Sequence, residues 1–159
     1  MHVLLADDQA EVRSALRFLL EQEPGMRVVG EAAEAEALLC QEEATQAELV
    51  LLDWELPGAC AANLVSALRS RCPHTIVIAL SGRPEARREA LDAGADAFVS
   101  KGEPPEHLLA ALYAFRDSDL LNHPAGGGVG AGEARPHTPT RRGGLEGSSA
   151  PPDLPGGTI

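Results

Sequence analysis

Five short, mostly apolar runs separated by segments of helical periodicity constrain the fold of this chain more than any other feature. The runs span residues 3–6, 27–31, 49–52, 75–80 and 97–100. Short apolar runs of this kind are typical of strands that are buried on both faces. Strands that alternate with helices indicate a parallel sheet with helices on both sides. The sequence therefore predicts an α/β fold, a doubly wound parallel sheet of the (βα)5 type.

The composition changes near residue 123, where glycine and proline become frequent. In segment 124–159 the large apolar residues are Val129, Leu145, Leu154 and Ile159. Four such side chains cannot offset the cost of ordering the segment, because fixing the backbone alone costs about 1–2 kcal/mol per residue. We therefore predict a folded domain over residues 1–120 and a disordered, Gly/Pro-rich tail over residues 121–159.

Charge and composition argue against several classes of protein. The formal net charge is −11, from 13 basic and 24 acidic residues, and this balance gives no support to a nonspecific nucleic-acid surface, because phosphate binding needs clustered Lys and Arg. No apolar run approaches the roughly 18 residues that a membrane span needs, and no signal peptide is recognisable, so we expect a cytoplasmic protein. The three cysteines are an odd number without metal-site spacing, which argues against a disulfide framework or a zinc site.

Polar side chains follow four of the five predicted strands. Asp7 and Asp8 come after the first, Asp53 after the third, Ser81 after the fourth and Lys101 after the fifth. In an open parallel sheet the ligand crevice lies beyond the carboxyl ends of the strands, so these side chains should meet there. Three converging carboxylates need a cation, and oxygen-only ligands favour Mg²⁺. Glu31, at the second strand, would lie apart if that strand is at an edge.

Lys101 is the only lysine of the chain, and it directly follows an apolar strand. A carboxylate beside Mg²⁺ and a lysine can act as a nucleophile that accepts a phosphoryl group. Phosphoryl transfer depends mainly on positioning and on neutralising charge on the phosphoryl oxygens, which a metal, an ammonium and a hydroxyl can supply.

The segments LLADDQAEVRSALRFLL, VLLDWELPG, ALSG and AGADAFVSKG resemble the receiver domain of bacterial two-component response regulators. They occur in the order and spacing of that family and cover roughly residues 1–118. The segment VRSALRFLLEQEPGMRVVGEA is similar to the nitrate-response, LuxR-type subfamily, which usually carries a C-terminal helix-turn-helix domain. The resemblance implies a flavodoxin-like sheet with strand order 2-1-3-4-5.

By this resemblance Asp53 is the phosphoacceptor, which takes a phosphoryl group from a histidine kinase. Asp8 would bind Mg²⁺ directly, and Asp7 would act through water. The backbone carbonyl of Glu55 would be a further metal ligand. The side chain of Glu55 departs from the family pattern: it points to solvent, or it repels the phosphodonor or alters the lifetime of the phosphorylated form.

The resemblance also assigns the residues of the switch. Ser81 would supply the hydroxyl that moves to the phosphoryl group, and Lys101 would pair with the acyl phosphate. Phe98 would be the switch aromatic residue, whose ring turns inward on activation. The surface around the fourth and fifth helices would then change its affinity for a partner.

We expect a single-domain receiver that lacks the helix-turn-helix output domain, since segment 124–159 is too short and too polar to form one. It would not be a conventional enzyme, because its chemistry is limited to self-phosphorylation from a donor and slow autodephosphorylation. The expected partners are a histidine kinase and an unidentified downstream protein; no direct DNA binding is expected, and a homodimer is left open. The main alternative is a phosphorylation-independent interaction module of the same fold. A remote alternative is a phosphatase with an aspartyl-phosphate intermediate, because Asp53-Trp54-Glu55 is similar to the Asp-x-Asp of haloacid-dehalogenase phosphatases.

Overall fold

Five strands and five helices alternate along residues 1–122, the part of the chain that the computed structural model describes; side chains are described over residues 1–118. The strands are β1 (His2–Ala6), β2 (Arg27–Ala32), β3 (Leu49–Asp53), β4 (Ile76–Ser81) and β5 (Ala97–Ser100). The helices are α1 (Ala10–Glu21), α2 (Ala35–Thr45), α3 (Ala61–Arg71), α4 (Ala86–Asp92) and α5 (Pro105–Asn122). The predicted (βα)5 alternation is confirmed.

All strand pairs are parallel, and the order in the sheet is β2-β1-β3-β4-β5. The predicted strand order and the flavodoxin-like fold are therefore confirmed. The order reverses at β1, so the connections after β1 and after β3 leave toward opposite sides of the sheet. A crevice opens at such a point beyond the carboxyl ends of the strands. This topology places the residues that follow β1 and β3 next to each other.

Alternate residues of the central strands pack into two separate cores. On one side, residues such as Leu4, Val50 and Val77 pack with apolar residues of α2, α3 and α4. On the other side, residues such as Leu5 and Leu51 pack with residues of α1 and α5. Burial on both faces explains why the strands are almost continuously apolar rather than alternating.

Strands β2, β3 and β4 each end one residue later than the apolar runs indicated, and the ends of β3 and β4 bear on the site. Asp53 pairs with Leu80 in the β3–β4 ladder, and Ser81 pairs with Ser100 in the β4–β5 ladder. Both polar residues are therefore the last residues of their strands rather than the first residues of loops. Because pairing in the sheet fixes the backbones of Asp53 and Ser81, it also fixes the positions of the Cβ atoms from which their side chains extend.

Helix α5 ends at Asn122, where the description of the chain ends. The predicted domain boundary at residue 120 falls in the last turn of this helix. The predicted tail, residues 121–159, lies outside the described residues from residue 123 onward and stays a prediction. Among the helices of residues 1–122, none has the length and the apolar composition needed to cross a membrane.

A buried carboxyl group lies at the opposite end of the sheet from Asp53. Glu42 of α2 is 1% exposed, and the thiol of Cys72 donates a hydrogen bond to its Oε2 at 2.8 Å. Burial, together with the Glu42 carboxylate, raises the pKa of the Cys72 thiol to about 11. The other two cysteines, Cys40 and Cys60, are exposed, and all three are free thiols.

We expect Cys72 to react with a thiol reagent more slowly than the two exposed cysteines. At pH 8 a pKa near 11 lowers the thiolate fraction roughly a hundredfold relative to an ordinary thiol. Labelling with Ellman's reagent, with mass mapping of the modified peptides, measures the three rates. The Glu42→Gln variant should react faster at Cys72 and unchanged at Cys40. Equal rates at all three positions in the wild-type protein would contradict this prediction.

Candidate functional site

One ammonium group bridges two buried carboxylates at the carboxyl end of the sheet. Asp7, directly after β1, is 0% exposed, and Asp53, the last residue of β3, is 1% exposed. Lys101 follows β5, and its Nζ lies 2.7 Å from Asp7 Oδ2 and 3.1 Å from Asp53 Oδ1. The backbone N–H of Lys101 donates to the carbonyl of Ser81 at 2.8 Å. The strand ends thus bring these predicted site residues together.

The carboxylate oxygens differ in how many partners they have. Asp7 Oδ1 accepts the backbone N–H of Gln9 at 2.9 Å, and Asp7 Oδ2 accepts Lys101. Asp53 Oδ1 accepts the backbone N–H of Glu55 at 3.1 Å as well as Lys101. Within residues 1–118, neither Asp53 Oδ2 nor the exposed carboxylate of Asp8 has a hydrogen-bond partner. Asp53 Oδ2 and both carboxylate oxygens of Asp8 are therefore free to bind a ligand or to react.

The three aspartates fit a divalent cation that prefers oxygen ligands. Asp7, Asp8 and Asp53 each offer a carboxylate oxygen, and these oxygens lie within 4.8 Å of one another. Mg²⁺ keeps several waters and is held by one or two carboxylates, which matches the free oxygens of Asp8 and Asp53. Both oxygens of Asp7 already accept hydrogen bonds, so Asp7 is better placed to hold a metal-bound water.

Burial and ion pairing change the pKa values of Asp53 and Lys101. Burial raises the pKa of Asp53 above its ordinary value, although the Glu55 N–H and the Lys101 ammonium oppose this rise. For Lys101, burial acts to lower the pKa, but hydrogen bonds to Asp7 and Asp53 outweigh it and raise the pKa. The ammonium therefore stays protonated at neutral pH, and Asp53 holds a proton to a higher pH than an ordinary aspartate.

We expect the affinity for Mg²⁺ to fall on acidification earlier than it would at an ordinary aspartate site. Protons compete with the metal for Asp53, and the raised pKa of Asp53 moves this competition to higher pH. Trp54 follows Asp53 directly and is 5% exposed, so its fluorescence can report binding during titrations at several pH values.

The Asp8→Asn variant is the matched control for this pH profile. It should weaken Mg²⁺ binding about tenfold or more at every pH, because it neutralises a free ligand, without moving the pH at which affinity falls. A wild-type affinity that stays constant down to about pH 4.5 would contradict the raised pKa of Asp53.

The side chain of Glu55 is engaged at the site and does not simply point into solvent. Ser81, 0% exposed, donates from Oγ to Glu55 Oε1 at 2.8 Å, and its Oγ accepts the backbone N–H of Arg83 at 3.0 Å. The guanidinium Nε of Arg83 donates to the same oxygen of Glu55 at 2.9 Å. Partial burial opposes ionisation of Glu55, but the bonds from Ser81 and Arg83 outweigh it and lower its pKa. Glu55 is therefore an anion that holds the hydroxyl of Ser81.

Phe98 lies within the core rather than on the surface. Its side chain is 7% exposed and belongs to the buried cluster that includes Ala86 and Ala90 of α4. The ring thus occupies an inward position in this structure. Movement of the ring on activation stays a prediction.

Arg13 of α1 is a residue that the sequence analysis missed. Its guanidinium donates to the backbone carbonyl of Asp7 at 2.7 Å and to the Glu31 carboxylate at 3.0 Å. Arg17, one helical turn later, also donates to Glu31, at 2.7 Å. Strand β2 is at the edge of the sheet, so Glu31 lies apart from Asp53 as expected, but through Arg13 it is connected to the backbone of Asp7. The sequence signal that could have indicated this contact is the spacing of Arg13 and Arg17, which places both arginines on one face of α1.

A largely apolar groove lies beside the site. It has a volume of about 570 Å³ and is lined by α1, the β5–α5 connection and the start of α5, with Lys101 among its lining residues. Phe18 of α1, which also lines the groove, is 69% exposed. An exposed phenylalanine beside an apolar groove marks a surface suited to binding a protein partner.

Comparison with known proteins places this geometry in a family. The family model described as "Response regulator receiver domain" matches residues 3–113. The nitrate/nitrite response regulator protein NarL of Escherichia coli K12 is 31% identical over 121 residues, which are 75% of this chain and 56% of NarL. The chain thus spans about half the length of curated relatives that it matches.

Solved structures agree with this placement. The isolated receiver domain of RcsB from Salmonella enterica serovar Typhimurium, determined with the phosphomimetic BeF3−, matches with a TM-score of 0.69 and 28% identity; the match covers 74% of this chain and 88% of that domain. The receiver domain of a response regulator named NarL from Mycobacterium tuberculosis matches with a TM-score of 0.67 and 28% identity, covering 73% of this chain and 95% of that one.

Proposed function

The chain belongs to the response regulator receiver domain family, and on that premise we propose that it is a phosphorylation switch whose phosphoacceptor is Asp53. One observation carries this proposal. Lys101 and the Glu55 N–H both bind Asp53 Oδ1, while Oδ2 has no partner within residues 1–118. A carboxylate oxygen of Asp53 also lies within 4.8 Å of carboxylate oxygens of Asp7 and Asp8. A fixed carboxylate with one free oxygen, next to a cation site, is suited to nucleophilic attack on phosphorus.

In the proposed reaction Asp53 Oδ2 attacks the phosphorus of the donor. An oxygen–phosphorus bond forms as the bond from phosphorus to the leaving group breaks, and Asp53 becomes an acyl phosphate. Mg²⁺, held by Asp8, Asp53 and the backbone carbonyl of Glu55 with Asp7 acting through water, would neutralise charge on the phosphoryl oxygens. Lys101 keeps Asp53 in place and adds a second positive charge.

The switch itself would follow from the new charge on Asp53. The Ser81 hydroxyl donates to a phosphoryl oxygen, and Phe98 packs behind it. Phosphorylation shifts the equilibrium between the inactive and the active conformation of the domain. The size of this shift equals the difference between the free energies with which the phosphoryl group interacts with the two conformations.

The proposed donor is a histidine kinase. It would dock in the apolar groove that Phe18 and Lys101 line, because Lys101 binds Asp53 and the groove therefore lies beside the phosphoacceptor. The proposed output is a change in affinity for a second protein. Direct DNA binding is not proposed, since the chain carries a net charge of −11. The three free thiols suit a reducing compartment, so the cytoplasm is part of the proposal.

The test is incubation with Mg²⁺ and phosphoramidate, followed by intact-mass spectrometry, with EDTA as the control. The proposal predicts a mass gain of one phosphoryl group that depends on Mg²⁺ and disappears slowly after the donor is removed. No gain in a folded protein that binds Mg²⁺ would support a phosphorylation-independent interaction module instead. Rapid, repeated hydrolysis of small phosphoesters would support the phosphatase alternative.

A further inference from the structure

We propose that the carboxylate of Glu55 is a latch on the switch hydroxyl: it holds the Ser81 proton in competition with the phosphoryl group on Asp53. This inference rests on the proposed function of Asp53, and it identifies Glu55 as a positioning residue that sets how readily the switch operates. Arg83 belongs to the latch, because its Nε donates to the same carboxylate oxygen of Glu55 that accepts Ser81.

Ser81 has one hydroxyl proton to donate. A serine hydroxyl donates one hydrogen bond, and Ser81 donates it to Glu55 Oε1 at 2.8 Å. The lone pairs of Ser81 Oγ accept the backbone N–H of Arg83 at 3.0 Å. A phosphoryl oxygen can therefore receive the Ser81 proton only after the bond to Glu55 breaks. The two acceptors compete for one donor.

The Glu55 carboxylate is a strong competitor for the Ser81 proton. A hydrogen bond from a hydroxyl to an ionised carboxylate is stronger than one between neutral groups. The Arg83 guanidinium fixes Glu55 Oε1 in the orientation that receives Ser81, with a salt bridge of 2.9 Å. The Ser81 side chain is buried, so water does not readily replace Glu55 as its acceptor.

Glu55 contacts both the switch hydroxyl and the phosphoacceptor. The backbone N–H of Glu55 donates to Asp53 Oδ1, while its side chain holds Ser81. A phosphoryl group on Asp53 would thus arrive beside a residue that already occupies the switch hydroxyl. The ring of Phe98 already lies in the core in this structure. The hydrogen bond from Ser81 to Glu55 must therefore break before Ser81 can donate to a phosphoryl oxygen.

A simpler effect of Glu55 has to be separated from the latch. A carboxylate near Asp53 also repels an incoming anion through its charge alone. Charge repulsion acts whether or not residue 81 has a hydroxyl, whereas the latch requires one. A double-mutant cycle between Glu55 and Ser81 therefore distinguishes the two effects.

The experiment titrates BeF3− in the presence of Mg²⁺ into four proteins, with Trp54 fluorescence and calorimetry as readouts. The proteins are the wild type, Glu55→Ala, Ser81→Ala and the double variant. The latch predicts that Glu55→Ala tightens binding about fivefold to tenfold when Ser81 is present and about twofold or less when it is replaced by alanine. Equal tightening in both backgrounds, or no tightening in the first, would overturn the latch.

A matched variant controls for the loss of a negative charge. Glu85→Ala removes an exposed carboxylate that acts on Arg83 only through its charge, and it should leave BeF3− affinity within about twofold of wild type. A tightening by Glu85→Ala as large as that by Glu55→Ala would overturn the latch.

A metal-free measurement separates failure of the latch from failure of the proposed function. If wild type binds no BeF3−, the assignment of Asp53 fails, and hydrogen exchange then decides the latch. Because Glu55 orients Ser81 Oγ as the acceptor for the Arg83 amide, Glu55→Ala should speed exchange of that amide several-fold without Mg²⁺ or BeF3−. An unchanged rate would mean that Glu55 does not hold Ser81.

Discussion

We expect the Asp53→Asn variant to take up no phosphoryl group from phosphoramidate and to be more stable than the wild type in metal-free buffer at neutral pH. Uptake is lost because an amide oxygen is not a nucleophile that yields an acyl phosphate. Stability rises because wild type buries two carboxylates against one ammonium, and burial raises the pKa of Asp53. We expect a gain of about 1–2 kcal/mol in the free energy of unfolding.

The sign of the pH dependence follows from the raised pKa. The native state binds the Asp53 proton more tightly than the unfolded state does, so Asp53 lowers stability as pH rises from its ordinary pKa through its raised pKa. Below that window the carboxyl is protonated in both states, and the advantage of Asp53→Asn should disappear. Urea unfolding in EDTA at several pH values, beside intact-mass spectrometry, measures both effects.

Asp92→Asn is the control for this variant, because its side chain is 74% exposed at the end of α4. It should take up a phosphoryl group as wild type does and change stability by less than about 0.5 kcal/mol. Phosphoryl uptake by Asp53→Asn, or a loss of stability in metal-free buffer, would contradict the account of Asp53.

We expect the Lys101→Met variant to be strongly destabilised in metal-free buffer and to recover largely when Mg²⁺ is added. Without the ammonium, the buried carboxylates of Asp7 and Asp53 face each other with no cation. Removing one partner of a buried ion pair costs about 3–5 kcal/mol, and the partial exposure of Lys101 lowers our expectation to about 2–3 kcal/mol. A bound divalent cation replaces the missing charge and stabilises only the native state.

Urea unfolding with and without Mg²⁺ tests this prediction, with Arg88→Met as the matched control. Arg88 is 92% exposed and pairs with Asp92 on the surface, so its loss should change stability by less than about 0.5 kcal/mol. The double variant Asp53→Asn, Lys101→Met should lose less stability than Lys101→Met alone, because one of the two unpaired carboxylates is gone. If the Lys101→Met protein is as stable as wild type in EDTA, the contacts of Lys101 with Asp7 and Asp53 do not contribute to the free energy of unfolding.

The elements that carry the site were predictable from the sequence because they depend on local patterns. Apolar runs with helical segments between them specify a parallel sheet, and a parallel sheet brings its carboxyl ends together. Asp7, Asp53 and Lys101 could therefore be placed at one site before any contact was known. The ends of β3 and β4 were less predictable, because the ladder continues through polar residues such as Ser81 when a neighbouring strand offers a partner.

The contacts of Glu55 and Arg13 could not be predicted in the same way. Glu55 meets Ser81 across 26 residues of sequence, and Arg13 meets Glu31 across 18. These pairs depend on the directions in which loop and helix side chains leave the backbone, which periodicity does not encode. Glu42 is a third example, since a carboxylate within a helical pattern indicates an exposed position, yet Glu42 is 1% exposed.

The most direct test of the central claim is to locate the phosphoryl group by borohydride trapping. Borohydride reduces an acyl phosphate to an alcohol, which converts a phosphorylated aspartate into homoserine. The account predicts homoserine at position 53 after treatment with phosphoramidate and Mg²⁺, and none after treatment in EDTA. Homoserine at another aspartate, or a phosphoryl group that maps to a serine or a histidine, would contradict it.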